Sequence, residues 1–244
     1  KYTLKRGLKE SKNTVSVYLM KQLGDTEPVR GLAHNMGIDS SAQYSNGRYV
    51  LPRQPSICLG SADLTVEEMA GAYTTFANNG IYNKPIYITR IEDKNGKLIF
   101  QHVPESKIAL DPQTNYVMVE MLRNVVYGAG GFYGRKSDFG GKTGTTDKHV
   151  DGWFVGLTPN LVVSTWVGGE DPWIRFRSLA MGQGSVMARP YFAALLEKLE
   201  HLDEDIYDKK ERFYKPPGKL NIELDCEVYI QHDSTKLKEV DMFN

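Results

Sequence analysis

Apolar and polar positions along the chain separate into helical and extended stretches before any other property is considered. Thr3 to Ser11 sets Leu4 and Leu8 on one face behind a Thr3 cap, which predicts a short helix delivering Ser11 at its end. Asn13 to Leu23 carries Val15, Val17, Leu19, Met20 and Leu23 and stops at Gly24, while Pro28 and Gly37 frame another helix; both read as core helices. Ser40 to Pro55 is polar, holds Asn46-Gly47 and two prolines, and reads as a surface loop. Thr65 and Glu68 make a capping-box pattern for a helix through Ala77 that Asn78-Asn79-Gly80 ends.

The extended stretches follow. Ile86 to Glu92 and Lys97 to Gln101 alternate on either side of Asn95-Gly96, which predicts a β-hairpin with a type I′ turn. Asp111-Pro112 then opens a helix in which Tyr116, Val119, Leu122 and Val126 keep helical spacing up to Gly128 and a glycine-rich loop. Gly152 to Leu157 and Leu161 to Gly168 flank Thr158-Pro159-Asn160 and predict a second hairpin, with Val162, Val163, Trp166 and Val167 expected to be buried. Pro190 begins a helix whose apolar face is Tyr191, Phe192, Leu195, Leu196 and Leu199. From Asp203 the character changes: Pro216-Pro217-Gly218 breaks the chain, and Leu220 to Ile230 admits one strand in a charged segment. Residues 203–244 read as a C-terminal appendage to 1–202.

Composition narrows the classes. The chain has 244 residues, 41% hydrophobic and 25% charged, which excludes disorder, collagen and solenoid repeats. Lysine plus arginine equals aspartate plus glutamate at 30 each, so no charge excess recruits nucleic acid or anionic lipid. The longest apolar runs, such as Leu161 to Val167, fall far short of the ~20 residues that span a bilayer, so no membrane helix is expected in this segment. Cys58 and Cys226 lie far apart without CxxC or histidine spacing; no metal site is expected, and each reads as a small buried hydrophobe rather than half of a disulfide. The residues from Lys1 form no signal peptide and read as the inside of a domain.

Two short elements carry chemistry. Lys142-Thr143-Gly144-Thr145-Thr146 follows two glycines and precedes the second hairpin, and reads as a substrate-facing edge strand. Glycine admits close approach to the backbone, lysine supplies positive charge, and threonine hydroxyls with free strand amides hold a carboxylate or an oxyanion. Ser11-Lys12-Asn13 lies at the junction of the first two helices, where serine and asparagine also serve as ordinary caps.

Ser11-x-Asn13 followed by Lys142-Thr143-Gly144 resembles the second and third signature motifs of penicillin-binding proteins and serine β-lactamases. The segments LKRGLKESKNTVSVYLM, LGSADLTVEEMAGAYTTFANNG, GGKTGTTDKHVDGWFVGLTPNLVVSTWVGGED and MGQGSVMARPYF stand in the order expected of a penicillin-binding transpeptidase domain, most like the bifunctional class A type. The resemblance spans roughly residues 2 to 200 and does not extend past about Asp203. It implies an α+β fold of β-lactamase/transpeptidase type, an antiparallel sheet flanked by helices, incomplete at its N-terminal side. It further implies that Ser11 relays protons with an active-site lysine, Asn13 binds the donor amide, and Lys142 adds positive charge. Thr143 and Thr145 would contact the substrate carboxylate, the Thr145 N–H would form half of an oxyanion hole, and Gly144 would keep the strand open. Gly141, Thr146, Asp151 and Trp153 also match the family pattern, and strand geometry or packing accounts for them.

One departure is large. The family's Ser-x-x-Lys, which supplies the acylated serine and the lysine that activates it, is absent: no serine has lysine three positions on. Gly-x-Ser-x-Gly is missing too, the histidines form no triad pattern, and His149 reads as a loop residue. The expectation is therefore the C-terminal part of a transpeptidase domain whose nucleophile lies on an upstream segment. Such a piece should expose apolar surface and be inactive and unstable alone. For the full-length protein the resemblance implies peptidoglycan D,D-transpeptidation, an acyl transfer from D-Ala-D-Ala stem peptides that β-lactams inhibit. It also implies a membrane anchor, a glycosyltransferase domain upstream, a site of action outside the cytoplasmic membrane, and no cofactor. The alternative is a non-catalytic module that binds stem peptides or β-lactams reversibly. A hydrolytic β-lactamase would need a deacylating base for which no motif is visible.

Overall fold

The computed structural model describes residues 2–224 and 226. It begins with α1 (Leu4–Lys9), α2 (Asn13–Leu23) and α3 (Glu27–Asn35), near the expected limits. The Thr3 hydroxyl caps α1 by accepting from the Arg6 amide. In contrast to the expectation of core helices, α2 buries Met20 alone, and α3 buries Arg30, whose guanidinium donates to the carbonyls of Leu51 and Ser40. Those bonds satisfy loop carbonyls of 40–51 that would otherwise be buried without partners. A 3₁₀ turn at Pro55–Leu59, not foreseen at the end of the polar loop, leads to α4 (Val66–Ala77), where Thr65 and Glu68 make the full capping box.

β1 (Ile81–Asn83), β2 (Arg90–Glu92), β3 (Leu98–Gln101) and β4 (Ser106–Ile108) form two small antiparallel pairs, with β2–β3 nested inside β1–β4. The hairpin is shorter than expected, and its turn is not type I′: Gly96 has φ +82° whereas Asn95 is not left-handed. The Asp93 carboxylate accepts from the amides of Asn95 and Lys97, which favours the longer turn with a register shift beside Glu92. The β1–β4 pairing escapes sequence reading because its strands are three residues each and joined only across the hairpin.

After α5 (Pro112–Val126), capped by Asp111, the main sheet follows. It is antiparallel in the order β5 (Gly140–Thr145), β6 (Asp151–Thr158), β7 (Leu161–Gly168). α6 (Leu179–Gly182), α7 (Gly184–Met187) and α8 (Arg189–Leu199) complete the elements. α4 and α5 pack on one face of the sheet, α7 and α8 on the other, so β6 is buried on both sides. Leu157 joins the cluster with Phe76, Val119 and Leu122; Phe154 joins the one with Phe132, Phe192 and Leu196. Two glycines are required by this packing: a Cβ on Gly141 would stand 2.6 Å from the Phe154 ring, and one on Gly156 2.6 Å from the Phe192 ring.

The sequence overstates burial at two places. Val162, Val163 and Val167 are half-buried and Trp166 is exposed, because β7 has a strand neighbour on one edge only among the described residues. On α8, Phe192 and Leu196 are fully buried while Tyr191 and Leu195 face outward. Beyond Asp203, Tyr207 and Phe213 are buried against the domain. No strand forms over residues 220–224; the rest of the expected strand lies outside the described residues apart from Cys226. Cys58 and Cys226 are both free, and Cys58 packs against the core.

Candidate active site

The site is built where the α1–α2 junction meets β5. α1 ends with the Ser11 amide donating to Leu8 O and the Lys12 amide to Gly7 O, the two bonds of a Schellman motif. Glycine normally occupies the left-handed position of that motif; here it is Ser11, at φ +49°. A side chain there costs roughly 1 kcal/mol, and such strain concentrates at functional sites. The turn brings the Ser11 hydroxyl to Lys142 Nζ and starts α2 at once. Asn13 is the first residue of α2 and makes no capping bond with its side chain; Lys12 holds the cap position. The ordinary capping role open to Asn13 in the sequence is therefore not the one it has, and its side chain is exposed.

Opposite, β5 is an edge strand, as expected, paired among the described residues with β6 alone. The Lys142 Nζ donates to the Ser11 hydroxyl and, at 3.0 Å, to its neighbour's carbonyl, Thr143 O. No carboxylate forms an ion pair with Lys142 among the described residues. Burial consequently pushes the Lys142 ammonium below the ordinary lysine range. Thr143 and Gly144 are half-buried and Thr145 is exposed. The Thr145 hydroxyl accepts from the Gly184 amide at 3.0 Å, which fixes its rotamer and leaves its proton to donate. Gly184 is a part of the site that sequence reading missed; its signal was the Gly182-Gln183-Gly184 run, since a Cβ on Gly184 would come within 2.3 Å of Gly144 O.

The remaining motif residues shape the strand. Gly144 stands opposite Trp153, which in turn faces Trp166. The Thr146 hydroxyl accepts from the Asp151 amide at 3.0 Å and closes the β5–β6 turn. His149 lies in that turn, in the 3₁₀ segment Asp147–His149. Thus Ser11 and Lys142 are joined directly, Asn13 stands at the next turn of backbone, and Thr143, Gly144 and Thr145 continue the strand.

A sequence profile of the penicillin-binding protein transpeptidase domain matches residues 1–190. The chain belongs to this family. Among its relatives, the penicillin-binding protein 1A of Aquifex aeolicus is 36% identical over 68% of this chain and 22% of its own length. That of Neisseria meningitidis serogroup A is 31% identical over 77% of this chain and 23% of its own. The chain thus spans less than a quarter of the length of these relatives. The penicillin-binding protein PonA1 of Mycobacterium tuberculosis superposes with a TM-score of 0.72 at 26% identity, covering 88% of this chain and 60% of that one; it has also been solved in complex with penicillin V. Penicillin-binding protein 1A of Haemophilus influenzae, at 22% identity, shares the fold with a TM-score of 0.70 over 90% of this chain and 37% of its own. The α+β architecture of an antiparallel sheet flanked by helices is that of the transpeptidase domains.

Proposed function

We propose that residues 1–202 supply the carboxylate-binding and proton-relaying part of a peptidoglycan D,D-transpeptidase site, with residues 203–244 as an appendage. The observation that carries this reading is the bond between Lys142 and Ser11, two motif residues 131 positions apart that the fold brings together. In the reaction a serine hydroxyl, on a segment outside the 244 residues, attacks the carbonyl between the two D-alanines of a stem peptide. Its proton passes through the relay that includes Ser11 to the departing D-alanine, leaving an acyl-enzyme that an amine of a second stem peptide cleaves. Lys142 supplies positive charge, Asn13 takes the donor amide, and the Thr143 and Thr145 hydroxyls hold the terminal carboxylate. The Thr145 N–H faces the developing oxyanion, and Gly144 leaves room for the backbone of the donor.

β-Lactams mimic the donor, and the penicillin V complex of PonA1 supports their binding here. Exposed Val17, Tyr18, Leu19 and Leu23 on α2 support a further segment packed beside Ser11. A membrane anchor, a glycosyltransferase domain and a location outside the cytoplasmic membrane belong to the same reading; among the described residues no helix is long and apolar enough to cross a membrane. The 244-residue chain alone is inactive in acyl transfer.

The test is the rate of penicillin acylation of the longer protein that contains this chain. Lys142→Met and Ser11→Ala should each slow it by about 100-fold or more, as expected for loss of a proton-transfer or charge-binding group. Because burial depresses the Lys142 ammonium, its charge is lost at lower pH than that of an ordinary lysine. The alkaline limb of the rate profile should therefore begin below pH 10.5 and move up in Lys142→Arg. Unchanged rates in both the methionine and alanine variants would contradict the reading.

A further inference from the structure

We propose that Glu200 is a positioning residue for the Lys142 strand, holding the entry to β5 in place together with Tyr207 and the segment that follows α8. This rests on the reading of the site given above.

The Glu200 carboxylate is buried, and one of its oxygens, Oε1, accepts from the Lys136 amide at 2.8 Å, the Ser137 amide at 2.8 Å and the Ser137 hydroxyl at 2.7 Å. Its placement works against its own helix. Glu200 is the C-cap of α8, where the macrodipole disfavours a negative charge. Burial also disfavours the charge, yet the hydrogen bonds from Ser137 and the Lys136 amide, together with the Arg135 guanidinium 3.9 Å from Oε2, outweigh it, and the carboxyl is held below its ordinary value. All three hydrogen bonds to this carboxylate come from residues 136 and 137, so its placement is explained by what it grips.

What it grips is the run leading into the functional strand. Upstream, Gly128, Gly131 and Gly134 all have positive φ, a loop that gives β5 little stiffness of its own. The hold begins at Lys136. Ser137 accepts from the Tyr207 hydroxyl at 3.1 Å while its own proton goes to Glu200. Asp138 pairs with Arg123 Nε of α5 at 2.7 Å and accepts from the Phe213 amide at 3.2 Å. Residues 136–138 are therefore fixed to α8, α5 and the chain after Asp203, immediately before β5 starts at Gly140. Since β5 is an edge strand, its N-terminal anchorage and its pairing with β6 set where Lys142 Nζ meets Ser11. Misplacement of such a group by about 1 Å is worth up to ~100-fold in rate.

The experiment uses the longer protein that contains this chain and measures penicillin acylation, separating the binding constant from the acylation rate constant, with near-ultraviolet circular dichroism on every variant. Glu200→Ala should lower the rate constant about 10-fold in molecules that remain folded. Glu200→Gln should restore it to within about 2-fold, because the amide oxygen accepts the same bonds. Tyr207→Phe should lower it about 2-fold through the weakened Ser137 link. A folded Glu200→Ala variant with an unchanged rate constant overturns the proposal, as does a glutamine variant as slow as the alanine one. If Glu200→Ala does not fold, a full rate in Tyr207→Phe overturns it and a reduced rate supports it. Absence of acylation in the unsubstituted protein would overturn the site reading itself, and this proposal with it.

Discussion

On one side of the Lys142–Ser11 contact, β6 and α8 bury Phe154, Leu157, Phe192 and Leu196 completely, whereas on the other the eleven-residue α2 buries Met20 and exposes Val17, Tyr18, Leu19 and Leu23. The contact therefore joins two kinds of structure. Thr143, Gly144 and Thr145 belong to a strand whose sheet is packed on both faces, with Phe132, Phe154 and Phe192 in mutual aromatic contact beneath it. Ser11 and Asn13 stand on a helix junction held by a left-handed serine and by Gly7 against Val15, where a Cβ would come within 3.0 Å. The Lys142 strand is preorganised by core packing; the Ser11 side takes its order from a local turn. Preorganisation of this kind favours charge stabilisation in the transition state, and the division explains how an edge strand with three glycines in six residues keeps one shape.

Substitutions can break or sharpen that contrast. The largest effect is expected for Phe192→Ala, which empties the aromatic cluster and should cost about 3–5 kcal/mol in denaturant unfolding. A cost under about 1 kcal/mol would show that the strand side is not held as described. Ser11→Gly is expected to separate activity from stability. The ~1 kcal/mol of left-handed strain it relieves is offset by the ~0.5–1 kcal/mol of entropy glycine loses and by the lost bond to Lys142, so stability should change by no more than about 1 kcal/mol, while removal of the hydroxyl slows acylation. A destabilisation above about 2 kcal/mol would mean that the turn is not strained. The smallest effect is expected for Val17→Ser on the 244-residue chain, within about 0.5 kcal/mol, since the side chain is already exposed. A markedly larger loss there, read from the same unfolding curves, would show that α2 is already covered.

Much of this was legible in the residues because it is local. Thr3, Thr65 with Glu68, and Asp111 announce helix starts through bonds made within three residues. The β6–β7 hairpin follows from two strand-like runs on either side of Thr158-Pro159-Asn160, and the glycines and neighbours of Lys142-Thr143-Gly144 place it on an edge strand. What was not legible depends on partners far along the chain. The residues overstate burial on β7 because an apolar strand reads the same at an edge as at the centre of a sheet. Asn95-Gly96 suggested a two-residue turn, and the Asp93 carboxylate two positions earlier selected a longer one. The grip of Glu200 on Ser137 joins residues 63 apart, and the bond of Gly184 to Thr145 residues 39 apart, separations at which no periodicity reports. For Ser11 the sequence offered two roles, and only the backbone shows it at φ +49° in a position that favours glycine.

The central claim is that Ser11 and Lys142 serve a nucleophile outside these 244 residues. It is tested most directly by incubating the longer protein with a penicillin, digesting it, and mapping the adduct by mass. The account predicts one adduct, on a serine of a peptide outside the 244 residues, lost on denaturation before exposure to the drug. An adduct on Ser11, on any other residue of this chain, or on no peptide at all would contradict it.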